Sequence, residues 1–122
     1  DRFTDATFAY QGAGRGFDLA TLSILEQWVQ TVQDAENNFV RQPDLTVWFD
    51  LAAEIAAQRL ADARVPDKFE AQPVEFFKRV SYGYLSRMTA SPDRFAQIRA
   101  DNPRETVWAD VLKAVQFRGW LA

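Results

Sequence analysis

Two short apolar segments limit what this chain of 122 residues can fold into. Leu45-Thr46-Val47-Trp48-Phe49-Asp50 is rich in β-branched and aromatic residues and follows Pro43-Asp44. It predicts a buried strand, parallel in its sheet and ending in a carboxylate. Arg94-Phe95-Ala96-Gln97-Ile98-Arg99-Ala100 alternates enough to predict a second strand. Helical patterns separate the two, which implies a βαβ crossover and an α/β layered fold. Sheets of that kind usually carry about five strands, so two are too few for the helices around them. The apolarity of Val47-Trp48-Phe49 calls for neighbours on both sides. The chain reads as part of a larger sheet domain.

The helices follow from spacing. Thr4 to Gln11 predicts a short helix, with Asp1 to Phe3 as the exit from a preceding strand. Between Phe17 and Val32, Leu19, Leu22, Leu25 and Val29 recur every three or four residues, and Ile24 and Trp28 widen the stripe. Asn37 to Pro43 predicts a loop and alanine-rich Leu51 to Ala63 a helix. Arg64 to Gln72 is polar and broken by Pro66. Pro73 opens a helix through Phe76, Phe77, Val80, Tyr84 and Leu85 to about Met88. Ser91-Pro92-Asp93 predicts a turn. Asn102-Pro103 starts a last helix with Val107, Trp108, Val111, Leu112 and Val115 inward.

Composition narrows the chemistry. Cysteine and histidine are both absent, which removes thiolate nucleophiles, serine–histidine triads and most transition-metal sites. An enzyme built from this chain must work with carboxylates, arginines, lysines and a bound ion. Phosphoryl transfer fits, because it depends on positioning and charge neutralisation. The net charge of −3 argues against a nucleic-acid surface but leaves room for a local basic pocket. The apolar runs are too short to span a bilayer and the first residues do not resemble a signal peptide, so the expected location is the cytoplasm.

Several residues are candidates for that chemistry. At the carboxyl end of a parallel strand, Arg2 of Asp1-Arg2 is placed to grip a phosphate with two parallel bonds. The alternative is a surface ion pair. Phe3, Thr7, Tyr10 and Gln11 share one side of the first helix, either to hold a base and a sugar or to pack in a core. Gly12-Ala13-Gly14-Arg15-Gly16 lacks the Gly-Lys-Ser/Thr ending of a phosphate-binding loop and reads as a flexible turn between helices. Arg59, Arg64, Asp67, Lys68, Phe69 and Glu70 form either a solvated loop or a mobile lid that brings charge to a nucleotide.

The order Asp1-Arg2-Phe3, Ala9-Tyr10-Gln11-Gly12, Gly14-Arg15-Gly16, Pro43-Asp44-Leu45-Thr46, Asp67-Lys68-Phe69-Glu70 and Phe76-Phe77 with Arg79-Val80 resembles that of bacterial thymidylate kinases. The resemblance is collinear and covers essentially the whole chain. It departs from the usual family pattern at Ala6, Phe8, Ala61, Ala63, Ser81 and Arg99. It implies a P-loop NTPase-type three-layer α/β fold with a parallel sheet. Residues 1–122 would then be the carboxyl-terminal portion of one nucleoside monophosphate kinase domain, with a lid at about 59–72. The implied activity is transfer of the γ-phosphoryl group of ATP to thymidine monophosphate, with Mg²⁺, in a cytoplasmic homodimer.

The same resemblance implies roles for individual residues. Arg2 would bind the acceptor phosphate, and Asp1 would help organise phosphates and magnesium. Thr7 would bond the thymine edge, and Tyr10 would pack on the deoxyribose where a 2′-hydroxyl would clash. Lys68, helped by Arg64, would approach the phosphates of ATP, with Phe69 and Glu70 on the substrate side. No G-x-x-x-x-G-K-[ST] occurs in the sequence. The chain alone is therefore expected to be inactive, since the β- and γ-phosphates lack a cradle. Two alternatives stay open, a non-catalytic partner-binding module and a kinase for another nucleoside monophosphate.

Overall fold

In a computed structural model, residues 2–33, 37–63 and 73–121 are described. Helix α1 (Thr4–Thr7) passes without a break into a wide π-helical stretch, Phe8–Gly14. Helix α2 (Leu19–Gln30) leads into a hairpin of β1 (Thr31–Gln33) and β2 (Asn38–Val40). Then come β3 (Thr46–Asp50), α3 (Ala53–Ala63), α4 (Pro73–Ala90), a 3₁₀ turn at Pro92–Arg94, β4 (Phe95–Arg99) and α5 (Arg104–Phe117).

Strands β3 and β4 pair in parallel, from Thr46 opposite Phe95 to Asp50 opposite Arg99. The crossover between them carries α3 and α4, as expected of a βαβ unit. Among the described residues β3 has a strand partner on this edge only. Trp48, Phe95 and Ile98 are buried, whereas Phe49 is 54% exposed.

The tightest packing is between α4 and the π-helical stretch, where Ala9, Phe76 and Val80 form a buried cluster flanked by Tyr10, Phe77 and Tyr84. Small residues make this approach possible. A Cβ on Gly83 would stand 2.7 Å from the Cα of Ala9, and one on Gly14 would stand 2.9 Å from the Phe76 ring. Widened turns are visible in the backbone bonds, with Arg15 N–H donating to the Tyr10 carbonyl at 3.0 Å. Arg79 Nε donates to the Gly14 carbonyl at 2.9 Å, and Gly16 ends the stretch at a φ of 75°.

Four expectations need correction. Gly12-Ala13-Gly14 is helical and packed, not a flexible turn, because its glycines are contact points for α2 and α4. Within Asn37 to Pro43, Asn38–Val40 is a short strand, too brief and too exposed to show an alternating pattern. The helix expected between Phe17 and Val32 ends at Gln30, with Thr31 and Val32 in β1, and of its apolar stripe only Leu22 is buried while Trp28 is 78% exposed. On α5 the expected inner residues Val107, Val111, Leu112 and Val115 are half-buried, but Trp108 is exposed.

Candidate functional site

The first helix is positioned from behind. Asp5 points away from solvent, is 2% exposed, and accepts bonds from three other parts of the chain. Arg87 Nε on α4 donates at 2.8 Å, and Thr46 Oγ1 at the start of β3 donates at 2.8 Å. Arg94 donates from both terminal nitrogens, at 2.6 and 2.8 Å, to the two carboxylate oxygens. Glu26 on α2 takes the second face of Arg87 at 2.7 Å and also accepts from the Thr4 hydroxyl. The Arg87 guanidinium lies 4.2 Å above the Phe8 ring and that of Arg94 lies 4.8 Å above Phe95.

The electrostatics of this cluster balance as two acids against two guanidinium groups. Burial raises the Asp5 pKa, but the bonds from Arg94, Arg87 and Thr46 outweigh it and hold the carboxyl below its ordinary range. Glu26 is lowered in the same way, against burial, by Thr4 and Arg87. Both acids are ionised at neutral pH. Arg94 Nε is the one buried side-chain polar atom without a partner among the described residues.

In front of this cluster lies a cavity of about 550 Å³. Arg2, Phe3, Tyr10 and Asp5 itself line it from the first segment, Thr46 and Trp48 from β3, and Tyr84 from α4. The Arg2 guanidinium carbon sits 5.3 Å from the Tyr10 ring centroid. Tyr10 meets Tyr84 edge-on at 6.2 Å, and Tyr84 stacks on Trp48 at 5.7 Å. Burial, with Tyr10 nearby, pushes the Tyr84 hydroxyl pKa up, so it remains a donor at neutral pH. A second cavity, of about 430 Å³, opens on the other side of Arg2 and Phe3 and has Arg41 on its wall.

Arg2 and Tyr10, two of the residues singled out in the sequence, are thus brought to one cavity. Thr7 is half-buried and is not among the residues lining it. Asp1, Arg64, Lys68, Phe69 and Glu70 lie outside the described residues. The cluster of Asp5, Glu26, Arg87 and Arg94 was missed. Its members are scattered along the chain, and no local spacing marks a charge that will be buried.

A family model for thymidylate kinase matches residues 1–111, most of the chain and every element described above except the end of α5. The chain belongs to the thymidylate kinase family. It is 75% identical over 121 residues to the thymidylate kinase of Albidiferax ferrireducens, covering 99% of this chain and 56% of that protein. It is 58% identical over 134 residues to the thymidylate kinase of a Polaromonas species, covering 100% of this chain and 60% of that protein. For the thymidylate kinase of Paracidovorax citrulli the identity is 57% over 121 residues, or 99% of this chain and 55% of that protein. The chain spans a little over half the length of these curated relatives. The family's α/β P-loop NTPase fold accounts for the parallel pairing of β3 with β4 and for the helices around it.

Proposed function

We propose that the full-length protein is a dTMP kinase that transfers the γ-phosphoryl group of ATP to thymidine monophosphate, giving the diphosphate for DNA precursor synthesis. In this reading residues 1–122 are the carboxyl-terminal portion of a single nucleoside monophosphate kinase domain, with the lid at about 59–72. The observation that carries it is the pairing of Arg2 with Tyr10 at one cavity, in a chain whose residues 1–111 match the family. Among the described residues β3 has a strand partner on one edge only, which fits further strands, and with them a phosphate cradle, on its other edge.

The chemistry divides among named residues. Arg2 would hold the acceptor phosphate through its planar fork, and stacking on Tyr10 would fix that fork relative to the sugar. Tyr10 would wall the deoxyribose and exclude a 2′-hydroxyl, and Thr7 would bond the base. Lys68, with Arg64, would neutralise charge on the transferring group, where the loose transition state spreads it over three oxygens. Phe69 and Glu70 would close the substrate side, and Asp1 would organise the phosphates. Mg²⁺ would accompany ATP and screen its phosphates. Among the described residues no three His, Cys, Asp or Glu side chains gather to hold an ion, so none of them is assigned to it.

The expected partners are thymidine monophosphate and ATP, with no nucleic acid or membrane, in a cytoplasmic homodimer. Among the described residues no helix is long and apolar enough to cross a membrane. The exposed side chains of Ile24, Leu25, Trp28 and Val29 make α2 the helix face best suited to a second copy.

The role of Tyr10 provides the test. In the full-length protein Tyr10→Ala should reduce the preference for dTMP over its ribose counterpart by about tenfold or more, as expected when a steric barrier at one hydroxyl is removed. Unchanged selectivity in steady-state assays with the two nucleotides would count against the sugar contact.

A further inference from the structure

Asp5 is the most connected side chain of the described structure, and the proposed chemistry leaves it without a task. Its two oxygens accept four bonds from Arg87, Arg94 and Thr46. Stability alone does not account for such a cluster, because well-packed apolar residues often stabilise as well as a buried ion pair or better. What the cluster adds is direction. Arg94 engages both carboxylate oxygens at once, which fixes the orientation of Asp5 as well as its distance.

Its location gives that direction a use. Asp5 stands on α1 three residues after Arg2, which leads into that helix, and five before Tyr10 in the π-helical stretch that continues it. Arg87 is three residues after Tyr84 on α4, and Thr46 is two before Trp48 on β3. The ionic cluster therefore ties together the three elements that carry Arg2 and Tyr10, Tyr84, and Trp48.

We propose that Asp5 is a positioning residue for the acceptor pocket, setting the placement of Arg2 and Tyr10 against Tyr84 and Trp48 through its bonds to Arg87, Arg94 and Thr46. The proposal rests on the reading of Arg2 and Tyr10 as acceptor contacts. Glu26 belongs to the same device, because it holds the second nitrogen of Arg87 and so fixes the guanidinium that faces Asp5.

The test is steady-state kinetics of the full-length protein, with KM measured separately for dTMP and ATP. Asp5→Asn should raise KM for dTMP about tenfold while moving KM for ATP less than about twofold, since misplacing a contact by a fraction of an ångström is enough for such a loss. Arg94→Lys keeps the charge and removes the fork, so it should raise KM for dTMP in the same direction. The double variant Asp5→Asn with Arg94→Lys should be no worse than Asp5→Asn alone, because both remove one interaction. Should Asp5→Asn fail to fold, Arg94→Lys and Thr46→Val, which deletes a single bond to Asp5, carry the same comparison.

Equal changes in the two KM values, no change in either, or full rescue by lysine at position 94 would overturn the positioning role. Failure of the underlying reading looks different. There the wild-type protein would lack dTMP kinase activity, or Tyr10→Ala would leave sugar selectivity unchanged. A wild-type enzyme that is active and sensitive to Tyr10→Ala, but indifferent to Asp5→Asn, overturns only the role of Asp5.

Discussion

Gly83 shows how much one absent side chain does here. A methyl group at this position would press on the backbone of Ala9 at 2.7 Å and on the Ala13 methyl at 2.8 Å. The obstacle is helix backbone, which cannot swing aside as a flexible side chain would. Gly83→Ala should therefore destabilise the full-length protein by about 1–3 kcal/mol, despite the better helix propensity of alanine. The urea-unfolding midpoint reads this, and a midpoint that stays or rises would show that α4 stands off from the π-helical stretch. In the sequence Gly83 is only a glycine inside a helical pattern. Asp5, Arg87 and Arg94 were equally silent, because a buried charge is defined by its partners and these sit 82 and 89 residues from Asp5. Arg2 and Tyr10 could be singled out because the motifs around them carry the family pattern, and the structure brings them to one cavity.

Elements were legible where a local pattern decides them. The β-branched run at β3, the alternation at β4, the alanine-rich α3 and the proline opening α4 all fall within a few residues of the observed bounds. Periodicity, however, reports that a face is apolar and not what covers it. On α2 the predicted stripe is present, yet Leu19, Ile24, Leu25, Trp28 and Val29 are exposed. An apolar patch of this size rarely stays in contact with water. We expect it to be covered by the same face of a second copy, in a two-fold arrangement. Trp28→Glu in the full-length protein should then halve the mass measured by light scattering at micromolar concentration. A wild-type monomer, or a dimer unaffected by the charge, would place any interface elsewhere. The hairpin of β1 and β2 escaped notice for the opposite reason, since strands of three exposed residues leave no periodic trace.

At the scale of the molecule, the parallel pair β3–β4 and its helical crossover form a sheet of two strands among the described residues. The shortage of strands was visible in the sequence, because counting strands against helices requires no tertiary information. Assembly of the site was not visible, as it depends on which helix packs behind which strand. With no histidine or cysteine among these 122 residues, what they bring to the proposed reaction must come from position and charge, as proposed for Arg2 and Tyr10. The most direct measurement is formation of ADP by the full-length protein with ATP and Mg²⁺, comparing dTMP with UMP, CMP, AMP and GMP. We predict that dTMP is converted to its diphosphate with a kcat/KM about 100-fold or more above that of any ribonucleotide, as the proposed exclusion of a 2′-hydroxyl by Tyr10 requires. No turnover of dTMP, or faster turnover of one of the others, would contradict the assignment.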